Sequence, residues 1–190
     1  LGEVTAGNKS VPICEVELEL KKGSTAALFK LAKHIVSLLP TTIGTDSKAA
    51  LGYNSRDGLS VKKFEPYQQN LPEEIKHEAE GYVRLLTTLM QEFQMFSAEI
   101  RRHYSSELAA MFKLILTALV DNFEAFNHHF PCPQLDSVNI RLKAFNDNCS
   151  LVIQQMDKNS LHSLLVKAQT TQLQLDIVQC LVEQPWSSDV

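Results

Sequence analysis

From Pro66 onward almost every apolar residue falls on a helical period, and that periodicity limits the chain to a mostly α architecture. Ile75, Ala79, Tyr82, Leu86, Leu89, Phe93 and Phe96 recur at three- and four-residue spacings after Pro72, with Glu73 and Glu74 placed for the first turn. A second series runs from about Ser106 to His128 through Leu108, Met111, Phe112, Ile115, Leu119, Phe123 and Phe126, and ends at Pro131-Cys132-Pro133. A third spans about Asp136 to Lys158, with Val138, Leu142, Phe145, Cys149, Val152 and Met156 inward. The fourth begins at Ser160 and continues through Leu161, Leu164, Leu165, Ala168, Leu175, Val178 and Leu181 to Pro185-Trp186. Four such segments joined by short connections predict an antiparallel four-helix bundle.

The first third obeys a different period. Cys14 to Lys21 alternates strictly, with Glu15, Glu17, Glu19 and Lys21 on one face and Cys14, Val16, Leu18 and Leu20 on the other, which predicts a β-strand. Carboxylates two residues apart on one strand face lie roughly 6–7 Å from each other and repel by about 2 kcal/mol at an effective dielectric of about 20. Either water screens them, as on any solvated strand face, or they hold divalent cations such as Mg²⁺ or Mn²⁺, hard ions that take oxygen ligands. Gly7-Asn8-Lys9-Ser10 reads as a turn before this strand, and Leu1 to Ala6 as the tail of a hairpin. Ser24 is placed to cap a helix from Ser24 to Leu39 whose Ala27, Leu28, Leu31, Ile35, Leu38 and Leu39 would cover the strand's apolar face. Thr41 to Tyr53 is a polar loop leading into one or two helical turns, with Lys48 beside the backbone N–H groups of a helix start.

Charge divides the chain at the same place as period does. Residues 1–65 carry nine Lys and Arg against seven acids, and residues 66–190 nine against fifteen, so the junction near Phe64-Glu65-Pro66 is the expected domain boundary. The predicted fold is therefore α+β, mostly α. A composition of 44% hydrophobic and 21% charged residues, with seven glycines and seven prolines, is that of an ordinary globular chain. No apolar run reaches the roughly 20 residues of a membrane span. With no charged-then-apolar leader, a cytoplasmic protein is expected, without a membrane partner. Cys14, Cys132, Cys149 and Cys180 have no zinc or redox spacing and read as reduced core thiols. His34 reads as a surface histidine, His128-His129 as a helix C-terminal pair, and Arg101-Arg102-His103 as cations suited to a helix end. Neither a Gly-rich phosphate loop nor the basic-aromatic interleaving of a nucleic-acid binder is present.

Three ordered blocks give the first third a more specific character. Pro12 to Gly23 (Pro-Ile-Cys-Glu-Val-Glu-Leu-Glu-Leu-Lys-Lys-Gly), the Ala27-Leu28-Phe29-Lys30-Leu31-Ala32 helix, and Ser47-Lys48-Ala49-Ala50-Leu51-Gly52-Tyr53 together resemble the end of a CYTH domain. That superfamily holds inorganic triphosphatases, thiamine triphosphatases and class IV adenylate cyclases. The resemblance implies the last part of an eight-stranded antiparallel β-tunnel that binds a triphosphate, with Glu15 and Glu17 in its late Glu-x-Glu metal strand. Glu19 would continue the metal face, Lys48 would be the late phosphate-contacting lysine, and Lys21 is a second phosphate candidate at the end of the same face. Glu15-Glu17-Glu19-Lys21 has the spacing of the family's first-strand Glu-x-Glu-x-Lys, but its neighbours resemble the late strand, and the family's first strand and its arginine and lysine strands are not matched by these 190 residues. By position and helical character residues 66–190 resemble a CHAD domain, although they are acidic and about half its length.

The expected architecture is thus a tunnel remnant with a covering helix over residues 1–65, followed by a CHAD-like bundle over 66–190. The expected function is that of a fragment of a metal-dependent triphosphatase-like protein acting on or binding triphosphate or polyphosphate, with no nucleic-acid partner. A non-catalytic helical interaction module is the alternative. Cutting a tunnel before its last strands leaves open strand edges, so a homo-oligomer paired through them is expected as well.

Overall fold

The computed structural model of the protein describes residues 2–6, 9–44 and 78–187. Strands β1 (Gly2–Ala6) and β2 (Lys9–Ile13) form an antiparallel pair in which Gly2 faces Ile13, Val4 faces Val11 and Ala6 faces Lys9. Ser10 Oγ donates across the pair to Glu3 Oε2 at 2.8 Å. Six helices follow among the described residues: α1 (Thr25–Leu38), α2 (Ala79–Arg102), α3 (Ser106–His129), α4 (Pro133–Gln154), α5 (Lys158–Val166) and α6 (Ala168–Glu183). The mostly α, α+β class expected from the two periods is the class found.

The strand, however, lies earlier than its pattern suggested. The ladder ends at Ile13, and residues 14–20, which carry the strict alternation, form no regular element. Alternation specifies which side chains would share a face, but a strand exists only where a neighbour takes its backbone hydrogen bonds. Among the described residues the pairing ends with Gly2 opposite Ile13.

Helix α1 forms where its cap placed it, with the Ser24 side chain accepting from the Ala27 N–H at 3.3 Å. Its partner differs from the expected one, since it packs on α6 rather than on a strand. Val36 is its buried residue, while Leu31 and Leu38 remain 48% and 67% exposed. The inward face is therefore turned about 100°, one residue along the helix, from the expected Leu31–Ile35–Leu38 stripe. Two polar ties set this rotation. Lys33 Nζ pairs with Asp176 Oδ1 and donates to Gln179 on α6, and Asp176 also takes Arg141 Nη1 of α4 at 2.7 Å. Beyond the helix, Thr171 Oγ1 donates to the Thr41 carbonyl at 2.8 Å.

The core belongs to α2–α6. Phe93 stacks on Phe112 with ring centroids 5.4 Å apart and meets Phe145 edge-on at 5.9 Å, so one side chain joins α2, α3 and α4. At the other end Phe126 receives Trp186 edge-on at 4.7 Å, which fastens the 3-10 turn Pro185–Ser187 to the bundle. Helix α4 starts three residues before the expected Asp136, because Pro133 occupies its first turn, where a missing N–H costs nothing. Its end is a Schellman closure without glycine. Met156 adopts φ 53°, its N–H bonds the Ile153 carbonyl at 3.0 Å, and the Asp157 N–H bonds the Val152 carbonyl at 3.2 Å.

The fourth expected helix is two helices. At Lys167 the backbone extends to φ −65°, ψ 140°, and the break is held by Thr170 Oγ1 donating to the Leu164 carbonyl at 2.6 Å. Neither Gly nor Pro marks it. The start of the first expected helix, from Pro72 through Ile75, lies outside the described residues, as do the junction at 64–66, the turn residues Gly7 and Asn8, and the helical turns around Lys48.

Asp157 caps α5, accepting from the Asn159 and Ser160 N–H groups at 3.1 and 3.0 Å and from Ser160 Oγ at 2.6 Å. These bonds, with the Ser160 hydroxyl first, hold its carboxyl below the usual aspartate value. A depressed folded-state pKa means that the cap's contribution is present above the unfolded-state pKa and is lost as pH falls through the folded value. Acid titration followed by amide NMR should therefore show the Asn159 and Ser160 resonances shifting together, with a midpoint below that of an unperturbed aspartate. A midpoint at or above the ordinary value would show that the cap does not form.

Candidate functional site

Glu15, Glu17 and Glu19 all lie in the irregular segment after β2 and all are exposed. Glu19 Oε1 pairs with Lys21 Nζ at 2.7 Å, with both side chains about three-quarters exposed (74% and 78%). At that exposure the pair contributes about 0–1 kcal/mol and serves mainly to place an ammonium beside the last carboxylate. The structure thus brings Glu19 and Lys21 together. Lys48 lies outside the described residues.

The donor chemistry of the three glutamates suits Mg²⁺ or Mn²⁺, which take carboxylate oxygens. Among the described residues no three His, Cys, Asp or Glu side chains converge as a closed metal site.

The remaining titratable groups separate into surface and core. His34 is exposed on α1, as its position on the helix suggested. His128 and His129 are exposed in the last turn of α3, with ring centroids 5.6 Å apart and planes at 67°, and His129 lies against Tyr82 at 5.9 Å. Both sit where the helix dipole favours a cation. At the end of α2, Arg102 pairs with Glu99 at 2.9 Å, while half-burial and then the neighbouring Arg102 lower the pKa of Arg101.

The cysteines only partly meet the expectation of core thiols. Cys149 and Cys180 are buried and Cys132 is half-buried, but Cys14 is exposed at the start of the carboxylate segment. Val16, on the same side of the alternation, is exposed as well. Burial pushes the Cys149 thiol up to about 12 and, with smaller contributions from neighbouring charges, that of Cys180 up to about 11. Thiolates are the reactive form, so native-state alkylation should label Cys14 first and leave Cys149 and Cys180 unlabelled until unfolding. Mass spectrometry of the labelled peptides checks the order, and equal labelling of Cys14 and Cys149 would contradict the burial described.

The Lys33–Asp176–Arg141 junction between α1, α6 and α4 was not legible beforehand. Its members are scattered along the chain, and no local spacing marks them as partners. Among the described residues no helix is long and apolar enough to cross a membrane. No protein-family model matches the chain, and no solved structure matches it.

Proposed function

We propose that this chain is part of a metal-dependent, triphosphatase-like protein and that its first third contributes one wall of a triphosphate site. The observation that carries the reading is the run of three exposed carboxylates, Glu15, Glu17 and Glu19, ending in the Glu19–Lys21 ion pair. The resemblance of residues 1–55 to the end of a CYTH domain supplies the substrate class. In this reading Glu15 and Glu17 hold Mg²⁺ or Mn²⁺, Glu19 adds a third oxygen donor, and Lys48 and Lys21 offset phosphate charge. The ion's contribution is to neutralise the triphosphate and polarise its phosphoryl oxygens. Carboxylates alone would repel such a ligand, so binding by this segment requires the metal. Cytoplasmic placement belongs to the same reading.

Calorimetric titration of tripolyphosphate into the chain with and without Mg²⁺ tests it. Binding should appear only with the metal, and the double substitution Glu15→Gln, Glu17→Gln should abolish it while leaving the helical circular dichroism unchanged.

A second reading, a non-catalytic helical interaction module, is favoured by a separate observation. Apart from Val36, every buried apolar residue among those described lies in α2–α6. On this reading the helices fold and act alone, and tripolyphosphate does not bind in any metal condition.

A further inference from the structure

Helix α1 depends on its docking for its shape. Isolated helices shorter than about 12–15 residues are marginal in water. Helix α1 has 14 residues, with no acid in its first turn and no base in its last to answer the helix dipole. Among the described elements it packs on α6, and the contact is thin in apolar terms. Val36 is its one buried residue and is not part of the core cluster, whose buried members all lie in α2–α6. Polar ties supply the rest. Lys33 reaches Asp176 and Gln179, and the Thr41 carbonyl, just past the helix, accepts from Thr171 Oγ1 at 2.8 Å. The chain from α1 to Thr41 thus lies antiparallel along α6, fastened at two places.

The Asp176 carboxylate has a second cation. Its Oδ1 takes Lys33 of α1 and its Oδ2 takes Arg141 of α4 at 2.7 Å, with side-chain exposures of 31% for Lys33, 19% for Asp176 and 43% for Arg141. Taking one partner from a half-buried ion pair is costly when it strands the other charge. Here it strands none, because Asp176 keeps Arg141 when Lys33 leaves and the ammonium passes into water. The two cations also repel each other across the carboxylate they share, and the departure of Lys33 relieves that repulsion.

We infer that α1 is a releasable strap. It leaves α6 and unwinds as one unit while α2–α6 stay folded, and Arg141, by holding Asp176 in its absence, sets how readily it does so. The device gives the first third its own way of coming off the bundle and returning. A ligand that engages α1 or draws Lys33 elsewhere shifts that balance by its preference for the released form and by no more. This inference does not depend on the triphosphate reading. It requires only the thin apolar contact of α1 and the shared carboxylate.

Native-state hydrogen exchange of the full 190-residue chain tests it, because a segment that opens by itself exchanges through an opening smaller than global unfolding. The amides from Phe29 to Leu38 should exchange as one group, at least about a hundredfold faster than the slowest amides of α2 and α3. Lys33→Met keeps the apolar stem and removes the charge. It should speed the α1 group by about tenfold, the loss of one hydrogen bond between charged groups, and leave α2 and α3 unchanged. Arg141→Met should act in the opposite sense and slow the α1 group by about threefold, since Asp176 would then have Lys33 alone. An arginine that merely braced the junction would, on removal, speed exchange instead. The inference is overturned if α1 exchanges together with α2 and α3, if Lys33→Met leaves its rate unchanged, or if Arg141→Met fails to slow it.

Discussion

Phe93→Ala should lower the free energy of unfolding by about 3–5 kcal/mol, the range for truncating a fully buried aromatic ring. Phe93 is 2% exposed and touches aromatic rings from two other helices, Phe112 of α3 and Phe145 of α4. Removing it opens a cavity that three helices would have to close together, and the flanking Leu89 and Phe96 are themselves almost fully buried, in an interior that is close-packed. The loss should appear as a lower urea midpoint at unchanged slope, since the surface exposed on unfolding is hardly altered. Leu114, on the next helix but 53% exposed, is the matched control, and its replacement by alanine should stay within about 0.5 kcal/mol. A Phe93→Ala loss below about 1 kcal/mol would show that the three helices do not share one packed core.

The second large effect is catalytic. With Mg²⁺ or Mn²⁺, the purified chain should hydrolyse tripolyphosphate at least about a thousandfold more slowly than an intact tunnel enzyme, because residues that act as one site lose activity together rather than additively. On the proposed reading the family's arginine and lysine strands are not matched in this sequence, and Glu15 to Lys21 alone cannot surround a triphosphate. A thousandfold deficit corresponds to about 4 kcal/mol of transition-state stabilisation, the scale of losing several charge contacts to a transferring phosphoryl group. Brisk metal-dependent turnover by the purified chain would mean that these residues form a complete active site.

What could be read from the sequence depended on how local each determinant was. Helices α2 and α3 were legible because their apolar period is long and because Pro131 marks the end of α3. Ser24 marked α1 equally well. Which face of α1 turns inward was not legible, because Lys33 finds Asp176 far along the chain and that pairing outweighs the Leu31–Leu38 stripe. The break at Lys167 was hidden for a related reason. The hydroxyl of Thr170 holds it through the Leu164 carbonyl, and no helix-breaking residue announces it. The carboxylate segment is the most instructive case. Its alternation is unambiguous, but a strand is a property of a pair, and among the described residues the β1–β2 pairing ends at Ile13. The candidate residues were found by their pattern, and of these Glu19 and Lys21 are in contact.

The central claim, a metal-dependent triphosphate wall on Glu15 and Glu17, rests most directly on one titration. Tripolyphosphate added to the chain in Mg²⁺ should release or absorb heat with a saturable isotherm. The same titration should be flat in EDTA, and flat again for the Glu15→Gln, Glu17→Gln protein in Mg²⁺. Binding of equal strength with and without metal, or in the doubly substituted protein, would contradict it.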